Sequence, residues 1–167
     1  MDPVGHYMLS WLLGRRMNIE KNAYRALLIG SLLPDGDVVV LILGYDFLLQ
    51  HHSTISHSYI LWLLAAVMIS IALKSRSIFP YLVLGVYLHI TADILLNSGL
   101  IFKGGVWCLW PFSQAKCLLA YNTDIPFKAF RFVYASLEIF FYSAAAYFVL
   151  KKQYPWQIWL RTEEEKS

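Results

Sequence analysis

From Phe79 to Phe102 the chain runs through aromatic and aliphatic residues without a Lys, Arg or Glu, and its one formal charge there is the carboxylate of Asp93. A run of this kind reaches the roughly 20 residues needed to cross a hydrocarbon core. Lipid offers no partner to backbone N–H and C=O groups, so the segment must satisfy them itself, as a helix does. An ionisable residue at that depth is costly and is retained for a function. His89 and Asp93 stand four apart, so a helix turns the imidazole and the carboxylate to one face, where they can grip a metal ion from one side. The same spacing also serves a buried His–Asp hydrogen bond that does no more than join two helices. From this pair alone the two readings weigh the same.

Composition extends the membrane reading to the whole chain. Of 167 residues 58% are hydrophobic and 15% charged, too apolar for an ordinary soluble domain. The expected fold is all-α: an integral membrane helical bundle with about three long spanning helices and two or three shorter ones. It forms a single domain over 1–150, followed by a polar tail over 151–167 that ends in Glu163-Glu164-Glu165-Lys166-Ser167. Met1 to His6 lack the basic start and small-residue cleavage site of a secretory signal, so the N-terminus is expected to be retained. A net charge of +3, scattered and without a basic block, speaks against a nucleic-acid partner. Cys108 and Cys117 match no zinc-ribbon or redox spacing, and could be buried thiols or one loop-closing disulfide.

The best spanning candidates are Ser58 to Leu73, Phe79 to about Leu100, and Phe132 to Leu150. The first two are joined by the polar turn Lys74-Ser75-Arg76-Ser77 as an antiparallel hairpin. Asp2-Pro3 reads as the N-cap and first residue of a helix to about Gly14, and Asn22 as the cap of a second through Leu33, stopped by Pro34. Both are short for a span. Val38 to Leu49 is taken as helix because a lone strand has nothing to pair with in lipid. An irregular loop with Trp107, Trp110 and Phe112 runs from Gly104 to about Pro126. A hairpin of the early helices puts Arg15, Arg16 and Lys21 on the side of Lys74, Arg76, Lys151 and Lys152, which the positive-inside rule makes cytoplasmic by a narrow margin. His6, Asp35, Asp37, His51, His52 and His57 then lie at the other side. His89 and Asp93, roughly 15 and 21 Å along their helix, approach them. A pocket opening outward, on the non-cytoplasmic side, is expected, with an inward-facing site as the alternative.

Leu33-Pro34-Asp35-Gly36-Asp37 turns the backbone so that two carboxylates can face one point, although Pro, Asp and Gly also suit a plain turn. His51, His52 and His57 gather at a helix entrance with Ser56 as its cap, and clustered neutral imidazoles are the commonest metal-ligand arrangement. His6 is uninformative by itself.

Taken in order, His6, the Gly30-to-Asp37 segment, His52-Ser53-Thr54-Ile55-Ser56-His57-Ser58, His89-Ile90-Thr91-Ala92-Asp93 and Leu109-Trp110-Pro111-Phe112-Ser113 resemble the successive signatures of the YdjM-like family of membrane-bound metal-dependent hydrolases. The resemblance runs from about residue 5 to 113. It implies a multi-helix membrane protein with a metal-centred hydrolase site. The family is similar, more distantly, to the zinc-dependent phospholipase C and single-strand nuclease group. By that likeness Asp35 or Asp37, His57, His89 and Asp93 hold the main metal, and Asp93 bridges to a second ion held by His6. Two departures stand out: Ser53 and Ser56 replace the family's usual Arg and Thr, removing a cation that could bind an anionic substrate, and no sixth histidine is present for a three-zinc cluster.

The expected metal residues are therefore His6, Asp35, His57, His89 and Asp93. The expected cofactor is one or two divalent ions, Zn²⁺ ahead of Mn²⁺ or Fe²⁺, acidifying a water for attack on an ester or phosphoester. Asp37 or His52 is the expected general base. Membrane lipid is the expected partner, a lipid or lipid-linked ester the expected substrate, and Trp107, Trp110 and Phe112 are headgroup-level anchors or ordinary interfacial aromatics. The rival reading is a non-enzymatic protein with structural metal, or a metal or proton carrier, which the deep Glu138 in Phe132 to Leu150 keeps alive. No small-xxx-small seam marks an oligomer interface, and a homo-oligomer stays open.

Overall fold

The computed structural model describes residues 2–37, 55–96, 106–115, 117 and 127–160. Every regular element among them is helical: α1 Pro3–Met17, α2 Lys21–Gly30, α3 Tyr59–Ala72, α4 Phe79–Leu96, α5 Phe127–Leu150 and α6 Gln157–Leu160, with 3₁₀ turns at Leu33–Asp37 and Ile55–His57. The apolar run Val38 to Leu49 and the histidines His51 and His52 lie outside the described residues.

Local chemistry starts and stops these helices. The Asp2 carboxylate accepts from Gly5 N at 2.7 Å, which satisfies one of the free donors at the start of α1, and Pro3 follows where its missing N–H costs nothing. Asn18 closes α1 in the left-handed conformation, and the chain reverses into α2. That helix starts at Lys21, after Glu20, whose side chain makes no cap bond, so Asn22 is not its cap. It ends at Gly30 rather than Leu33, because the last residues before Pro34 tighten into the 3₁₀ turn. Ser58, not Ser56, caps α3, accepting from Leu61 N at 3.3 Å.

Among the described residues the three long spans expected are not all found. Among the described residues one helical stretch, Arg76–Leu95, is long and apolar enough to cross a membrane. Helix α3 has 14 residues, about 21 Å of rise against a hydrocarbon core of about 30 Å, and the apolar part of α5 begins at Ala135, after Lys128 and Arg131.

The core is built on α2 and α4, which run side by side in the same direction. Two glycines let their backbones touch: a Cβ on Gly30 would sit 2.3 Å from the Leu82 carbonyl oxygen, and one on Gly85 2.2 Å from that of Leu27. Ala26, Ala66, Ile78 and Leu82 fill the space where α3 joins this pair, and α3 returns antiparallel to α4 through the Lys74 turn, whose φ is 50°. On the other side Met8, Trp11, Leu28 and Phe141 knit α1 and α5 onto α2. The Asp2 backbone N–H donates to Glu138 at 3.1 Å, and Tyr142 hydrogen-bonds the Asp2 carboxylate, so α5 holds the start of α1 in place. Part of the expected polar tail docks as well: the Pro155 carbonyl accepts from Tyr7, and those of Ile158 and Trp159 accept from Arg25. Cys108 and Cys117 are both free thiols.

Candidate metal centre

The start of α1, the end of α2, the entrance to α3 and the last turns of α4 meet at one end of the bundle, and each delivers a ligand-type side chain. His6, His57, His89, Asp35 and Asp93 are all buried there, the three imidazoles completely. Asp35, His57, His89 and Asp93 each offer one donor atom to a cluster whose members lie within 4.8 Å of one another. His57 Nε2 stands 3.0 Å from Asp93 Oδ2, 3.2 Å from His89 Nε2 and 3.8 Å from Asp35 Oδ1. His89 Nε2 lies 3.4 Å from Asp93 Oδ2 and 3.5 Å from Asp35 Oδ1. A tetrahedral ion with ligands at about 2.1 Å has ligand-to-ligand edges of about 3.4 Å, so these separations match the size of one coordination shell.

Ring orientation points the same way. His89 Nδ1 lies 2.7 Å from the carbonyl oxygen of Ser31; a carbonyl only accepts, so Nδ1 carries the proton and Nε2 turns its lone pair into the cluster. His57 Nδ1 is held by Ser56 Oγ at 3.1 Å, and the Ser56 carbonyl accepts from Trp62 Nε1, so His57 also presents Nε2 inward. Two imidazole lone pairs and two carboxylates facing one point repel one another unless protons or a cation stand between them.

His6 supplies the second test of fit. Its ring stacks on His89 with centroids 3.6 Å apart, and its Nε2 is 3.2 Å from Asp93 Oδ1. That approach lacks hydrogen-bond geometry, and neither ring nitrogen of this fully buried residue has a hydrogen-bond partner among the described residues. An unsatisfied buried polar atom costs about 1–3 kcal/mol, which a bound cation would remove. Asp93 thus turns one oxygen to His57 and His89 and the other to His6, the disposition of a bridging carboxylate. The donor set fits a divalent ion.

Burial lowers His57 below the ordinary imidazole range against the opposing pull of Asp93, leaving it neutral at pH 7. Burial would lift the Asp35 carboxyl, but with a proton on His89 Nε2, the metal-free alternative to a cation, the hydrogen bond and charge of that imidazole carry Asp35 below the usual carboxylate range. Both stand in the protonation state a metal ligand requires.

All five residues expected as metal ligands are therefore brought together. Asp37 closes the 3₁₀ turn after Asp35; its side chain, like the whole of His52, lies outside the described part, so neither expected general base is placed. Residues 106–115 dock beside the centre: the Cys108 carbonyl accepts from Tyr59 N and the Trp110 carbonyl from Ser58 Oγ, while Phe112 is 83% exposed. Ser31 and Ser56 are the supporting residues that sequence reasoning did not assign. Ser31 acts through its carbonyl, to which its side-chain type is no guide.

The model of the YdjM inner membrane protein family matches residues 1–161, well beyond the segment that carries the sequence signatures. The chain belongs to that family. Neither the curated proteins nor the solved structures yield a match to it. For a YdjM family member the membrane is the expected setting, and the candidate metal centre of Asp35, His57, His89 and Asp93 lies within the matched residues.

Proposed function

We propose that this protein is a membrane-embedded, metal-dependent hydrolase acting on an ester or phosphoester of a lipid or lipid-linked substrate. The observation that carries the reading is the convergence of Asp35, His57, His89 and Asp93 from three separate segments into one buried cluster. A divalent ion held there, Zn²⁺ by ligand type, would acidify a water toward a pKa of about 7. The chain's own residues set the conditions: Ser31 and Ser56 fix the two inward-facing imidazoles, and Asp93 with His6 offers a place for a second ion. Asp37 and His52 are the proposed proton acceptors. The multi-pass reading draws support from α3 and α5, which turn large apolar side chains outward, Met68 at 69% and Phe132 at 75% exposure, a surface suited to lipid rather than water. On that reading Arg15, Lys21, Lys74, Arg76 and Lys152 face the cytoplasm and the metal centre opens on the other side, with Trp110 and Phe112 at headgroup level.

One observation favours a second reading. Four protein ligands already close a tetrahedral shell, the mark of structural zinc, whereas a hydrolytic centre needs an open position. Glu138, which kept an ion carrier in view, takes part in anchoring the start of α1. Metal analysis of detergent-purified protein, X-ray absorption at the metal edge and a hydrolysis screen on phospho- and carboxyl-ester lipids separate the two. The hydrolase reading expects stoichiometric metal, a coordination number above four and turnover abolished in His89→Ala; a four-coordinate ion with no His89-dependent turnover makes the metal structural.

A further inference from the structure

The end of the bundle opposite the metal centre holds a second polar cavity, of about 600 Å³, where the α1–α2 turn meets the chain after α5. Arg15, Lys21 and Lys152 line it, one from the last turn of α1, one from the first residue of α2 and one from the turn after α5. Among the described residues no carboxylate lines it, and none of the three cations forms an ion pair. Three like charges gathered around one space repel one another, and an anion in that space relieves the repulsion.

The cavity is built rather than incidental. The Arg15 guanidinium rests against two rings, its Cζ 4.8 Å from the Trp11 centroid and 4.7 Å from that of Phe148, which anchors the charge at the rim. Behind it the Tyr24 hydroxyl donates to the Trp11 carbonyl at 2.6 Å, and Gly14 makes room, since a Cβ there would meet the Tyr24 ring. Tyr154 and Gln153 add polar lining, and Trp156 and Trp159 stand half-exposed near the same end, the placement of residues at headgroup level. The volume falls within the range of small-molecule sites.

We infer that this cavity binds the phosphate group of an anionic ligand, through Arg15, Lys21 and Lys152. That chemistry has two sources, the headgroup of an anionic phospholipid in the adjoining leaflet and a free phosphate compound. Basic pockets between helices at the cytoplasmic face are where anionic headgroups dock. The inference stands without the hydrolase reading, because it uses none of the metal-centre residues.

The test uses the full chain purified in detergent. Native mass spectrometry follows retention of phosphatidylglycerol against phosphatidylcholine, and inorganic phosphate is titrated as a competitor and as a thermal stabiliser. The expected result is selective retention of phosphatidylglycerol, weakened roughly fivefold in each of Lys21→Gln and Lys152→Gln and further when Arg15→Gln is added. A charge-matched control, Arg16→Gln with Lys74→Gln and Arg76→Gln, keeps it. Competition by inorganic phosphate with the same variant dependence identifies a free phosphate as the ligand; retention without competition identifies the lipid. Helical circular dichroism and metal content report folding, and the two lysine variants, whose side chains reach solvent, keep the test valid if Arg15→Gln unfolds. Equal retention of the two lipids together with no response to phosphate, or equal loss in the control, overturns the inference.

Discussion

At the residue scale the centre is a matter of which atom each ring presents. His89 and His57 have their outer nitrogens occupied by Ser31 and Ser56, so both inner nitrogens are committed to the cluster. Because burial holds His57 below the usual imidazole range, protons compete weakly with a metal: the group's neutral form, and any stability it lends, is present above about pH 6.5 and lost as acid titrates the folded state. Metal occupancy followed by equilibrium dialysis is therefore expected to stay level from pH 8 to about 6.5 and to fall below that; loss already complete at pH 7 contradicts the ligand assignment. Asp93 makes a second expectation, since its two oxygens face different imidazoles. Asp93→Asn is expected to empty the protein of metal, whereas His6→Ala removes about half if two ions bind and leaves the content unchanged if one does, read by elemental analysis per chain.

At the element scale the distance between α2 and α4 controls the cluster. The Ser31 carbonyl that orients His89 is the first residue beyond α2, and Gly30 and Gly85 set how closely that end approaches α4. Gly85→Val places branched carbons against the Leu27 carbonyl in a contact between two backbones, which has no flexible side chain to yield. It is expected to destabilise the fold by about 1–3 kcal/mol and to lower metal affinity along with it, measured by thermal unfolding and metal titration on the same sample. Much of this level was legible in the sequence. Asp2-Pro3 announces α1, and Lys74 to Ser77 the hairpin, because caps and turns depend on side chains a few residues away. The sequence points to Asn22 for the start of α2 and to Ser56 for the cap that Ser58 supplies, because serines two residues apart offer the same chemistry and packing chooses between them.

At the scale of the whole molecule the described residues are polarised, with the His/Asp cluster at one end and Arg15, Lys21 and Lys152 at the other. Arg15, Lys21 and Lys152 share a cavity, and Ile78, beside the Lys74–Arg76 turn, packs with Ala26 on α2. Single cysteines at Arg76 and Phe112, in a background lacking Cys108 and Cys117, are expected to react with a membrane-impermeant thiol reagent from opposite sides of sealed vesicles, Phe112→Cys from outside. Labelling of both from one side rejects the proposed topology. The number of spans is the part of the sequence reading that the structure supports least, because apolar length along the chain does not reveal where a helix stops: α3 ends at Ala72, and among the described residues only Arg76–Leu95 meets the requirement of length and composition.

The amino-acid sequence by itself determined the helical class, the membrane-family character and the five ligand-type side chains, because hydropathy, capping and donor chemistry are properties of short segments. Only the tertiary structure decided that those side chains share one point. His57 and Asp93 are 36 residues apart, and His89 and the Ser31 carbonyl 58, and contacts across such distances follow from the packing of whole helices, down to the two glycines that let α2 and α4 touch.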